Sequence, residues 1–318
     1  MTGKATPEAG AFDQIIWRKR SLWRDVWQRL RKNRPAVVGL VIVALMYFVA
    51  VFAPWLAPYA YDKIDLDKAE AGWSLAHPLG TDELGRDVLS RVIWAARSAA
   101  FVSVTVTLFG LALGLFFGLM SGYFGGWVDS IIMRISDVLF AFPGLLFVFF
   151  IAATIQPGIE AWFKSVGLRQ LARSGYIDYL VVIIALSLVG WPGLARLVRG
   201  QLLSLRERDF VLAARALGVS NRRIVWRHLL PNATPPVIVS LSGGMGGIIL
   251  SEATLSFLGI GLQPPNPSWG AMLYEYYRYW RTPLWPLLFV PAAILVAIIL
   301  AFSFLGDGLN EALNPQLD

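Results

Sequence analysis

The residues with chemistry to offer are few and unevenly placed. Arg215, Arg222, Arg223 and Arg227 crowd into Leu212–Asn232 (LAARALGVSNRRIVWRHLLPN), beside Ala213, Ala214, Gly218, Val219 and Ser220. Asp209–Leu217 favours a helix, Gly218 breaks it, Ser220 suits the cap of a second helix, and Pro231 ends that one. Small residues let another surface come close and guanidinium groups pair with its carboxylates, so this segment reads as a handle for a partner protein. A second candidate is Glu252, a carboxylate within an apolar run. Acids in such runs are functional candidates; standing without relay partners, this one suits helix bonding or pathway lining better than proton carriage. Asp129, Arg134 and Asp137 form a third group, in which the spacing of Arg134 and Asp137 lets them pair on one helix face.

Other chemistry is missing from the chain. There is no cysteine, which removes thiol catalysis, disulfides and thiolate metal sites. His77 and His228 fall in different loops, so no histidine-based metal site is expected. A phosphate-cradling loop needs Gly-Lys followed by Ser or Thr; the single Gly-Lys, Gly3-Lys4, precedes Ala5. Neither HExxH nor GxSxG occurs. The expectation is a chain that is not an enzyme and holds no cofactor, whose energy must come from elsewhere.

The elements that carry these residues are membrane helices. Of 318 residues, 56% are hydrophobic and 15% charged, against roughly a quarter charged in soluble domains. Six stretches reach the about 20 apolar residues of a spanning helix: Val37–Ala57, Ala99–Gly122, Ile131–Ile155, Tyr179–Val198, Thr234–Leu258 and Leu284–Gly306. Barrel strands would be shorter and alternating, so the expected class is all-α membrane protein. Met1–Ala11 lacks the pattern of a cleaved signal, which leaves the first span as the targeting signal.

Loop charge sets orientation. Nine basic against three acidic residues precede the first span, which places the N-terminus in the cytoplasm; Tyr59–Asp87 carries three basic against seven acidic residues and is external. Alternation then puts Arg199–Ala233, with seven arginines against two acids, and the C-terminal tail inside. The divisions are 1–35, a cytoplasmic segment with an interfacial helix; 36–58, the first span; 59–96, an external loop with a short helix; 97–306, a five-helix core containing the 199–233 loop; and 307–318, a cytoplasmic tail. The net charge of +7 reflects topology and anionic lipid, with no nucleic-acid partner expected.

Several local patterns refine this plan. Ile16, Trp23, Val26, Trp27 and Leu30 share a face that suits lying flat on the inner membrane surface, as an anchor or a partner contact. Gly110, Gly114, Gly118 and Gly122 recur every four residues, and Gly243, Gly244, Gly246 and Gly247 cluster in the fifth span; both read as packing surfaces, with sliding as an added use. Trp191-Pro192-Gly193 interrupts the fourth span, as an inert kink or a lever to the basic loop. Outside, Thr81 suits an N-cap with Asp82 and Glu83 in the first turn. The Gln263–Gly270 loop, with Trp269 and Tyr274, reads either as an aromatic belt or as a vestibule that receives a docking protein or substrate.

The segment Ala213-Ala214, Gly218 and Leu230-Pro231 resembles the coupling (EAA) loop of membrane subunits of ATP-binding-cassette importers. HPLGTDELGRDVLSR, SGYFGGWVD, ARLVRGQLLSLRERDFVLAARALG, LSFLGIGLQPPNPSWGAML and FLGDGLNEALNP together resemble the C-type permease of dipeptide and oligopeptide transporters. The resemblance implies a type I importer fold with a cytoplasmic coupling helix, in the bacterial inner membrane. It also implies a homologous second permease, two ATPases that bind ATP and Mg, and an external substrate-binding protein. The residues it assigns to ATPase coupling are Ala213, Ala214, Arg215, Gly218, Val219, Ser220, Arg222 and Arg223. Leu212 stands where the family has glutamate, and His228 where it has isoleucine. Relatives carry peptides, glutathione or nickel complexes; a stand-alone secondary transporter is the distant alternative, and the inverted repeats it would need are not found.

Overall fold

The computed structural model describes residues 22–168, 170 and 175–313, and among these all regular structure is helical. The α-helices are α1 (Leu22–Leu30), α2 (Arg34–Leu56), α3 (Val88–Phe124), α4 (Gly126–Ala141), α5 (Gly144–Ser165), α6 (Tyr176–Leu205), α7 (Asp209–Ala216), α8 (Asn221–Ile224), α9 (Leu230–Phe257), α10 (Trp269–Tyr276) and α11 (Pro286–Leu313). Among the described residues six helical runs are long and apolar enough to cross a membrane: α2, α3, α5, α6, the run from Asn221 to Phe257, and α11. On α2 the outward residues Val38, Val41, Leu45 and Phe48 are all more than half exposed, as suits a face turned to lipid.

Several details differ from the sequence expectation. The third apolar stretch is two helices, because Phe142 precedes Pro143 and takes an extended conformation (φ −89°, ψ 142°). The proline ring disfavours the helical region for its predecessor, which ends α4 there. Thr81 does not cap a helix: its hydroxyl donates to the Lys68 carbonyl and accepts from Ala71 N–H. Asp87 is the cap, its carboxylate accepting from Ser90 N–H at 2.8 Å, and α3 then runs unbroken through the 96/97 division to Phe124. The fourth span continues through Pro192 as one helix, and Pro231 does not end the second hairpin helix, which runs through a π turn at Val225–Leu229 into the fifth span.

Glycine decides how α3 and α6 meet. A Cβ at Gly114, Gly118 or Gly122 would come within 2.7, 2.7 and 3.0 Å of Leu194, Val198 and Leu202, so these three pack inside this chain, whereas Gly110 has open space beside it. Gly246 likewise abuts Phe302 of α11. At the other end, Val26 and Leu30 of α1 are buried with Ala36 and Ala312, so this face meets α2 and α11. Trp27 stays 48% exposed. Ile16 lies outside the described residues.

Candidate functional site

Three regions bring polar or exposed groups together. The first is the hairpin of α7, α8 and the π turn. Val211 and Ala214 on α7 pack with Ile224, Val225 and Leu229 against Leu194, Val198 and Leu202 of α6 in one apolar cluster. Gly218 turns the chain at φ +74°, a conformation that costs a side-chain-bearing residue about 1 kcal/mol or more. Ser220 occupies the cap position of α8 without a side-chain cap bond. The outer face is open: Leu217 is 83% exposed, Leu212 49% and Trp226 60%, and Ala213, Arg215, Gly218, Ser220, Arg222 and Arg223 are exposed as well. Val219 is partly buried and Ala214 fully, so these two anchor the hairpin. The geometry is a stiff surface of apolar and cationic groups.

The second region is an open cleft of about 460 Å³ among α3, α5, α6 and α9. Its lining is uncharged and mixes glycine, serine and threonine, such as Thr107, Gly110, Ser187, Gly244 and Ser251, with leucine, isoleucine and valine. Two of its walls, α6 and α9, are the helices whose ends hold the hairpin. Glu252 is beside this wall but not in it. It is 1% exposed and accepts from the Ser256 and Ser268 hydroxyls, each at 2.8 Å. Those same hydroxyls accept from Leu262 and Gly270 N–H, so the carboxylate ties the outer end of α9 to the following loop. That supplies the partners the sequence did not reveal and favours helix bonding over pathway lining.

The third region lies at the opposite end of the molecule from the hairpin. Asp82 accepts from Leu84 and Arg86 N–H, from Arg86 Nε at 2.7 Å and from Arg91 Nη1 at 2.9 Å. Glu275 of α10 accepts from the same two guanidinium groups, and the Tyr276 hydroxyl joins Arg91 at 2.5 Å. Arg91, Asp82 and Tyr276 are 0–1% exposed, and burial pushes the Tyr276 phenol far above its ordinary pKa. Beside them His77 Nδ1 lies 2.9 Å from Asp87, stacked on Tyr59. This clamp was not read from the sequence. The available signal was a dense set of charges in HPLGTDELGRD followed by Arg91 in an otherwise apolar helix.

The vestibule residues do not stay together. Trp269 is 2% exposed and donates from Nε1 to the Val92 carbonyl at 3.3 Å, so it is a core anchor and offers no docking surface. Its indole fills the space between α3 and α9, which is why the loop folds inward. Tyr274 is 58% exposed and Gln263 half-buried. The pairing of Arg134 with Asp137 is replaced as well: Asp137 accepts from Arg196 of α6 at 2.5 Å. Among the described residues no group of three histidine, aspartate or glutamate side chains could hold a metal ion.

The arrangement of spans defines the class. The methionine ABC transporter MetNI, in an inward-facing conformation, superposes with a TM-score of 0.51 at 19% identity, covering 71% of this chain and 96% of that one. The fold is that of a type I ABC importer permease. Residues 114–318 match the model of the binding-protein-dependent transport system inner membrane component, and residues 21–78 that of the N-terminal TM domain of oligopeptide transport permease C. The chain belongs to that family of inner membrane components. Among its relatives, the dipeptide transport permease DppC of Alkalihalophilus pseudofirmus is 36% identical over 93% of this chain and 91% of that one. The oligopeptide permease OppC of Bacillus subtilis is 35% identical over 98% and 96%. The glutathione transport permease GsiD of Escherichia coli is 40% identical over 94% and 92%.

Proposed function

We propose that this chain is the transmembrane permease subunit of an ATP-driven importer for dipeptides or oligopeptides. It forms half of a passage with a homologous second permease, takes its energy from two ATPases that bind ATP and Mg on the cytoplasmic side, and receives substrate from an external binding protein. The observation that carries this reading is the hairpin: its inner face is fixed to α6 and α9, two walls of the cleft, while Leu212, Leu217, Trp226 and the arginines face outward. A push on that surface is therefore delivered to the cleft. Loop charge and the packing of α1 against the end of α11 support a cytoplasmic position for the hairpin and both termini.

The test is uptake by the reconstituted complex. Gly218→Val forces a branched residue into φ +74° and is expected to detach the ATPases and cut uptake by about tenfold or more, in the range of typical site-to-site coupling. Uptake by this chain alone, driven by a proton gradient, would overturn the reading. Glutathione is a second reading of the substrate, favoured by the 40% identity to GsiD. Ligands retained by the cognate binding protein separate the two: α-linked peptides support the first, glutathione the second.

A further inference from the structure

Helix α4 is attached to its neighbours in an unusual way. Gly125 and Gly126, both at positive φ (+63° and +53°), join it to α3 with open space around them, and Phe142-Pro143 joins it to α5. Its outer residues Trp127, Ile131, Ile135 and Val138 are about half exposed or more, and its inner face packs Ile132 with Trp191 and Ala195 of α6 and with Leu113, Phe117 and Met120 of α3. Two ion pairs complete the attachment. Asp129 accepts from Arg199 Nε and Nη2, both at 2.5 Å, and from the Ser121 hydroxyl of α3. Asp137 accepts from Arg196 Nη2 at 2.5 Å, and that guanidinium also covers the Phe140 ring at 4.4 Å.

Both arginines come from the lower part of α6, immediately above Leu202, which is packed into the hairpin. Beyond Pro143 the chain enters Gly144, Leu145 and Val148, which line the cleft. Joints at both ends and charges along its length describe a segment that meets α5 through a break and is bound to follow α6 together with the end of α3 packed on it. Resting on the importer reading above, we propose that Asp129 and Asp137 are positioning residues that make α4 move with α6, passing displacement of the hairpin to the cleft-facing start of α5. The Asp129 pair carries more of this, because its side chains are 20% and 32% exposed against 68% and 41% for Asp137 and Arg196, and exposed pairs are weak. Asp129 is also held below the usual carboxylate pKa, first by the Arg199 hydrogen bond and also by Ser121.

Charge reversal in the complete reconstituted importer tests this. Asp129→Arg and Arg199→Asp are each expected to lower uptake by about tenfold while basal ATP hydrolysis and co-purification of the ATPases persist, and the double variant to recover most of it. A merely structural pair would not separate uptake from basal hydrolysis. Single variants that keep wild-type uptake, or a double variant that recovers none, overturn the proposal. Should the reversals fail to assemble, Asp129→Asn and Asp137→Asn keep the shape: reduced uptake per ATP hydrolysed supports the latch, an unchanged ratio overturns it. Failure of the importer reading shows differently, as a wild-type complex whose uptake does not depend on ATP.

Discussion

The clamp around Asp82 and the hairpin use the same residue type, arginine, to opposite ends. Around Asp82 the charges are mutually paired and largely buried. On the hairpin Arg215, Arg222 and Arg223 stand exposed beside Leu217 and Trp226, and the apolar groups there are left uncovered by this chain. A buried ion network with its charges answered fixes geometry and offers little to a partner. An exposed mixture of apolar and cationic groups on a rigid support is the composition of an interface awaiting its other half. One end of the molecule is thus closed by its own chain, while at the other apolar and cationic groups stay uncovered, where the proposed function seats an ATPase.

The largest effect that could break this contrast comes from Arg91. Arg91→Met leaves Asp82 and Glu275 short of a counter-charge in a site 0–16% exposed, and should destabilise the isolated subunit by about 3–5 kcal/mol. Thermal melting of the detergent-solubilised chain measures it; an unchanged melting temperature would mean that the clamp is not a rigid unit. The matching change on the hairpin is Leu217→Ser, which should alter stability by no more than about 0.5 kcal/mol yet weaken ATPase binding in a pull-down. A large melting shift with intact binding would reverse the assignment of the two ends.

The smallest effect concerns pH. The folded-state pKa of Asp129 is depressed, so the stability its pair adds is fully present above the ordinary carboxylate value of about 3.9 and is lost as pH falls through the lower folded value. Between about pH 8 and pH 5 the melting difference between wild type and Asp129→Asn should stay constant, shrinking only in stronger acid. A difference that shrinks already near neutral pH would show that Arg199 does not hold this carboxylate.

What the sequence made legible was the part governed by local rules. Apolar length located the spans, and small residues every fourth position marked α3 as a packing surface without saying what it packs against. The split at Phe142-Pro143 was missed because the apolar run continues across it, although the rule for residues before proline was there to use. The clamp was missed for a different reason: Arg91 and Glu275 are 184 residues apart, and no periodicity reports a partner at that distance. Trp269 looked like an interface aromatic because the loop around it is rich in proline and polar residues; only the packing of α3 and α9 draws it inside. For Asp129, the partner Arg199 stands 70 residues on, beyond α5, where no local pattern reports it.

The joint between the first and last spans bears on how the protein is made. Asn33 caps α2 and also donates to Glu311, 278 residues later, while a Cβ at Gly39 would reach the Ala301 carbonyl at 2.5 Å and one at Gly308 would collide with Ala36. Among the described residues the first span therefore has part of its seat built by the last, and the rest by α3. Until α11 is inserted, α2 can pack only on α3, so the joint between these two spans closes after the helices between them are made.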